Sequence, residues 1–247
     1  MNENYNHLDK LDTNEFIFKD KKKLNAYNNI DLFFEQSLVS INTLDDFYRL
    51  TQNIISQIDI IYDNIQCKKG CARCCKFYSS PQIYELEWNY IKKHIETNLS
   101  EKQIQFIHQK FTQNINNLKS LLEKKFDMSK VNDSFYISIF YISECPFLIK
   151  NECLIYNVRP LICRIFGYSK EINRSVSESP QEFNQILTCT EEIERWKSEI
   201  SQGNIKKVYL PYMKILEKKI HELTFKENVP LFYHSLDYWL TEYFNEY

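Results

Sequence analysis

The chain has 247 residues, 43% hydrophobic and 15% aromatic, enough to bury a sizeable core in one large domain or two small ones. A formal charge of -2, with lysine and glutamate mixed along the chain, gives no general pull toward nucleic acid. With three glycines in all, Gly70, Gly167 and Gly203, a glycine-rich phosphate loop and a dinucleotide fingerprint are both excluded.

Residues 1–23 are polar, with acidic and basic side chains and no apolar core behind a positive start, so no secretion signal is expected. No run of 18 apolar residues occurs, which predicts a soluble, cytoplasmic protein without a membrane partner. Residues 1–40 are expected to be loosely ordered, and 41–247 to form a single helical domain around a cysteine-cluster region at 67–189. Thr43 is a candidate N-cap with Asp45 and Asp46 in the first turn. Behind it Leu44, Phe47, Leu50, Ile54, Ile58, Ile61 and Ile65 recur at helical spacing and deliver the chain to Cys67. Ser80 and Pro81 read as the cap and first position of a second helix, with Tyr84, Trp88, Ile91 and Ile95 on one face. Ser100 to Gln103 has capping-box form and opens a third, striped by Ile104, Ile107, Phe111, Ile115, Leu118 and Leu122.

Between 134 and 156 the period shortens. Phe135, Ile137, Ile139 and Tyr141 alternate with their neighbours in strand fashion, and Lys150-Asn151 can turn the chain into a second strand at 152–156. Pro160 then opens a short helix carrying Cys163 and Arg164, which Gly167 stops. Phe183, Ile186, Cys189, Ile193, Trp196 and Ile200 share one helical face, pointing Cys189 inward. Val208, Tyr212, Ile215, Leu216 and Leu223 predict a further helix that Pro211 starts or kinks. Phe232, Leu236, Trp239 and Tyr243 predict the last. The expected fold class is mainly α, a helical domain with a small β-hairpin and a cysteine-rich metal-binding knot.

The chemistry lies in the cysteines. Cys67, Cys71, Cys74 and Cys75 occupy nine residues as C-x3-C-x2-C-C, followed by Cys145, Cys153, Cys163 and Cys189. Packing needs no such spacing, and the eight are too sparse and too clustered for a disulfide-stapled scaffold. Thiolates gathered this tightly hold a soft metal ion or an iron-sulfur cluster. Eight would fill two four-ligand sites or over-supply one. In an extended chain Cys74 and Cys75 start in opposite directions, so they serve different centres or one stays free or bridging. For Cys189 a place in the apolar core is as good a reading as ligation. His94, His108, His221 and His234 have no second ligand at close spacing. Arg159 and Arg164 are candidates for binding an anionic ligand beside the metal or for offsetting thiolate charge; fastening a loop is the alternative. The C-x3-C-x2-C spacing also matches the cluster loop of radical S-adenosylmethionine enzymes. Helices dominate here, glycine is scarce, and Arg73 stands where that loop commonly has an aromatic residue.

The run from Cys67 to Cys75, the Cys145-Pro146-Phe147-Leu148 segment, and the run from Cys153 through Arg159-Pro160-Leu161-Ile162-Cys163-Arg164 together resemble the YkgJ-type cysteine-cluster family, described as a zinc- or iron-chelating domain. The resemblance covers roughly Cys67 to Cys189. It implies metal ligation by Cys67, Cys71, Cys74, Cys75, Cys145, Cys153 and Cys163, with Cys189 as an eighth. A similar module in flagellin lysine N-methylases implies an alternative, an iron-sulfur enzyme transferring methyl from S-adenosylmethionine to a protein lysine or small molecule. No general base, nucleophile or cofactor motif can be named, which favours a metal-binding protein with the helices serving a protein partner. Cys145-Pro146 matches the Cys-Pro pairing of ferredoxin-type ligation, and apolar Phe147, Ile162 and Phe166 would shield a cluster. These cues favour iron-sulfur over zinc.

Overall fold

The structure, a computed structural model, describes residues 8, 19–78, 80–125, 143–171 and 186–246. The protein is mainly α-helical, and the described residues include two short antiparallel strand pairs. It divides into two compact units, Met1–Lys68 with Cys163–Asn228, and Lys69–Ile162 with Val229–Tyr247.

In the first unit, α1 (Lys21–Leu32) starts at Asp20, whose carboxylate accepts from the Lys22 and Lys23 amides. It continues through a π-helical turn at Phe33–Ser37 into Leu38–Ser40. Ala26, Tyr27, Ile30 and Phe34 are its buried face, and α1 packs on α2 (Leu44–Ile61). Thr43 caps α2 as its position predicts, accepting from the Asp46 amide. The buried stripe includes Phe47, Ile54, Ile58 and Ile61. Further along, α6 (Leu161–Ile165), within which the division between units falls, stops before Gly167. The chain then turns through residues 166–168, and Lys170 bridges to Ile186 on one side and to Tyr212 on the other. Two further helices of the unit are α7 (Thr190–Ser201) and α8 (Met213–Lys226). Trp196 is fully buried with its ring edge-on to Tyr62 at 4.9 Å.

The second unit contains α3 (Arg73–Phe77), β1 (Gln82–Tyr84), α4 (Glu85–Asn98), α5 (Glu101–Lys125), β2 (Leu148–Ile149), β3 (Glu152–Cys153), a 3-10 turn at Tyr156–Val158, β4 (Tyr233–Ser235) and α9 (Leu236–Asn245). The Ser100–Gln103 capping box is present: Gln103 accepts from the Ser100 amide at 2.9 Å, and the Ser100 hydroxyl accepts from the Gln103 amide. One apolar cluster, with Ile83, Trp88, Ile91, Phe111, Phe147, Leu236 and Trp239 among its members, binds α4, α5, the hairpin and α9 together. Trp88 and Trp239 stack at 6.0 Å.

Several local expectations change. The helix expected from Ser80-Pro81 begins at Glu85, because Gln82–Tyr84 pairs instead with Tyr233–Ser235, some 150 residues away. Ser80 is not the N-cap it was expected to be: its hydroxyl accepts from the Asp237 amide in the first turn of α9, whose N-cap is Ser235, while the Pro81 carbonyl accepts from the Leu236 amide. The expected hairpin is present and turns at Lys150-Asn151, both at positive φ of 49° and 67°, as a two-residue primed turn requires. Its first strand is Leu148–Ile149; the alternating run at 135–142 lies outside the described residues. Cys189 precedes α7 at its N-cap instead of lying on the helix face, and Phe183 is outside the described residues. Pro211 does mark the approach to α8, which begins at Met213, while Val208 and Phe232 precede the helices they were expected to join.

Candidate metal centre

Four of the cysteines belong to a constructed corner of the second unit. Cys74 and Cys75 lie on the single turn of α3, where helical backbone turns the consecutive thiols toward each other and leaves their sulfurs 4.0 Å apart. Cys145 is joined to them through the main chain, its amide donating to the Cys75 carbonyl at 2.6 Å. Helix α5 fixes this junction from behind. Lys110 pairs with the Glu144 carboxylate at 2.7 Å and donates to the Leu148 carbonyl at 2.8 Å, and Asn114 donates to the Glu144 carbonyl at 2.9 Å. Cys153 enters through the hairpin, in register with Leu148. Cys145 and Cys153 both pack against the apolar cluster.

The electrostatics agree with this proximity. Hydrogen bonding to the Cys145 thiol, followed by burial and the charges of Cys145 and Cys153, pushes Cys75 up to about 12, with Cys74 opposing. Cys74 is pushed up by its hydrogen bond to Cys75 and by burial, and Arg159 works in the other direction. Burial raises Cys153, opposed by the Ile155 backbone and by Arg159. Arg159 is therefore a cation whose charge favours the thiolate forms of Cys74 and Cys153. Its guanidinium stacks on Tyr156 at 4.2 Å, with Lys69 5.7 Å from the same ring. Cys71, half-buried, lies ahead of α3 in the same unit, just after Gly70 with its φ of 92°.

Cys67, Cys163 and Cys189 belong to the first unit, as does Arg164. Arg164 is buried and stacks on Tyr48 at 4.2 Å. Cys67 is held on several sides. The preceding Gln66 amide donates to the buried Glu192 carboxylate at 3.2 Å, and the Tyr168 hydroxyl donates to the Cys67 carbonyl at 2.8 Å. The Cys67 sulfur lies 3.7 Å from Thr188 Oγ1. Cys189, next to Thr188, is buried, whereas the other seven cysteines are half-buried.

As they stand, no three His, Cys, Asp or Glu side chains among the described residues form a group that could hold a metal ion. The donor chemistry of the second unit nonetheless fits a soft cation. Hydrogen bonding among the thiols and burial keep protons on Cys74 and Cys75, and burial does so on Cys153; a bound cation would favour the thiolate form of each.

Sequence reading passed over the residues that support the cysteines. Glu87, buried on α4, accepts from the Leu161 amide at 2.6 Å and the Tyr84 amide at 3.3 Å, anchoring the Arg159-Pro160-Leu161 run. A signal was present: Glu87 interrupts the stripe of Tyr84, Trp88 and Ile91, and a carboxylate on an apolar face needs buried donors. Glu192, Tyr168 and Thr188 gave no comparable signal.

The fold and the grouped thiols define a helical cysteine-cluster protein. Over residues 66–190, about half of the chain, the sequence matches the CxxCxxCC family, described as "Putative zinc- or iron-chelating domain", and the chain belongs to that family. No curated protein and no solved structure matches the chain. Among the described residues no helix is long and apolar enough to cross a membrane.

Proposed function

We propose that the protein chelates zinc or iron through the thiolates of Cys74, Cys75, Cys145 and Cys153, with Cys67, Cys71, Cys163 and Cys189 as the further ligands of the module. The observation that carries this reading is the meeting of the Cys74-Cys75 pair with Cys145 and Cys153, thiols 70 or more residues apart in the chain, in one corner of the second unit. The 4.0 Å between the Cys74 and Cys75 sulfurs supports two thiolates on one tetrahedral ion. Sulfurs about 2.3 Å from a tetrahedral zinc are about 3.8 Å from each other. A four-iron cluster takes its corner thiolates on separate irons and spaces them more widely. The spacing therefore favours one zinc or iron ion at the Cys74-Cys75 pair over a four-iron cluster there. Arg159 offsets part of the negative charge of a four-thiolate site, and the apolar cluster behind Cys145 and Cys153 keeps water from it.

The test is metal analysis of protein purified anaerobically, compared with Cys74→Ser, Cys75→Ser, Cys145→Ser and Cys153→Ser. Each variant is expected to lose at least half of the zinc or iron carried per chain. Unchanged metal in all four would overturn the assignment.

A further inference from the structure

We propose that the first unit binds a small α-amino acid in the cavity bounded by the start of α1, the end of α2 and the last turn of α7. The site lies apart from the cysteines and goes beyond the metal reading. Local sequence builds it. Helix α2 stops at Ile61, where Tyr62 turns extended and leads into exposed Asp63 and Asn64. Helix α7 stops at Ser201, and Gly203, at a φ of 74°, folds the chain back so that the Asn204 amide donates to the Glu199 carbonyl at 3.0 Å. Lys23, in the first turn of α1, stands on the third side with its ammonium 3.8 Å from the Asp63 carboxylate. Buried Ile61, Tyr62 and Ile205 supply apolar surface.

The cavity measures about 190 Å³, room for roughly six water molecules and less than the roughly 300–1,000 Å³ of sites for drug-sized ligands. A ligand of few atoms suits it. The lining carries both signs of charge: Lys23 and Arg195 stand with Asp63 and Glu199, beside the amides of Asn64 and Asn204. Arg195 is fixed in place. Its Nε and Nη2 both donate to Oε1 of the fully buried Glu192, at 2.8 and 2.5 Å, and its guanidinium stacks on Trp196 at 4.1 Å. Among the described residues Nη1 donates to no protein group, and Glu199 Oε1 accepts from none, while Glu199 Oε2 holds Asn204 at 3.1 Å. At 3.8 Å the Lys23–Asp63 pair is longer than a charge-assisted hydrogen bond, so a ligand can compete for both ends. A lone anion here meets Asp63 and Glu199, and a lone cation meets Lys23 and Arg195. An α-amino acid satisfies both sets, with its carboxylate accepting from Arg195 Nη1 and its ammonium donating to Glu199 Oε1.

The experiment uses the full chain as purified. Thermal unfolding is followed with each of the common L-amino acids in turn, and the Kd of any that stabilises is measured by isothermal titration calorimetry. At least one is expected to raise Tm by about 3–6 °C at about ten times its Kd. Its N-acetyl derivative, which loses the ammonium, and its carboxamide, which loses the carboxylate, should each bind at least about tenfold more weakly. Glu199→Gln, which keeps an oxygen for Asn204, and Arg195→Lys, which keeps a cation beside Glu192, should each raise Kd at least about tenfold. Should Arg195→Lys not fold, Glu199→Gln and the two derivatives decide. Absence of stabilisation by every amino acid would overturn the proposal. So would a Kd unchanged in Glu199→Gln, which places the ligand elsewhere, or either derivative binding as tightly as its parent amino acid.

Discussion

Truncating Glu87 to alanine tests how the cysteine-bearing loops are anchored. Its carboxylate accepts from the Leu161 amide at 2.6 Å and from the Tyr84 amide at 3.3 Å, and the side chain is almost wholly buried. Alanine strands both donors. A buried donor left without a partner costs about 1–3 kcal/mol, and Tyr84, being only half-buried, recovers part of its share from water. The sum is about 2–4 kcal/mol, which for a chain of this size lowers Tm by about 4–16 °C. Glu87→Gln retains a carbonyl for the Leu161 amide and should lose roughly half as much. Thermal unfolding followed by circular dichroism measures both. A Glu87→Ala variant melting within 1 °C of the parent would refute the idea that this carboxylate anchors the Arg159-Pro160-Leu161 run.

Replacing Lys150-Asn151 by Asn-Gly suits the positive φ at both turn positions and is expected to raise Tm by about 1–4 °C without changing bound metal, since left-handed backbone disfavours lysine and favours asparagine and glycine. A lowered Tm would contradict the turn geometry. Burial raises the Asp237 carboxyl, with the Ser80 hydrogen bond opposing. A folded value above the unfolded one means stability that is complete below the unfolded value and is lost as pH rises through the folded value. Asp237→Asn should therefore gain in Tm relative to the parent between pH 4 and pH 7; a loss over that interval would show the sign to be wrong.

Much of the helical frame was legible because caps and stripes are local. Thr43, the Ser100–Gln103 box and the Lys150-Asn151 turn each act within a few residues. The pairing of Gln82–Tyr84 with Tyr233–Ser235 was not legible, since three-residue strands carry no period and the partner is distant. Ser80 shows the limit well: it was expected to cap the helix that follows it, but its hydroxyl accepts from the first turn of distant α9, whose own N-cap is Ser235. The cysteine motifs announced soft-metal chemistry. Which thiols meet could not be read from them, since vicinal Cys74 and Cys75 reach a common side only through the helical turn of α3. Gly167 was legible as a helix stop, but the Cys67 sulfur that fills the space beside it was not.

X-ray absorption at the zinc and iron edges of anaerobically purified protein tests the thiolate site most directly. A single ion held by Cys74, Cys75, Cys145 and Cys153 predicts a first shell of about four sulfurs near 2.3 Å with no short metal–metal scattering. A shell dominated by oxygen or nitrogen would contradict it, as would native, reduced protein carrying neither metal.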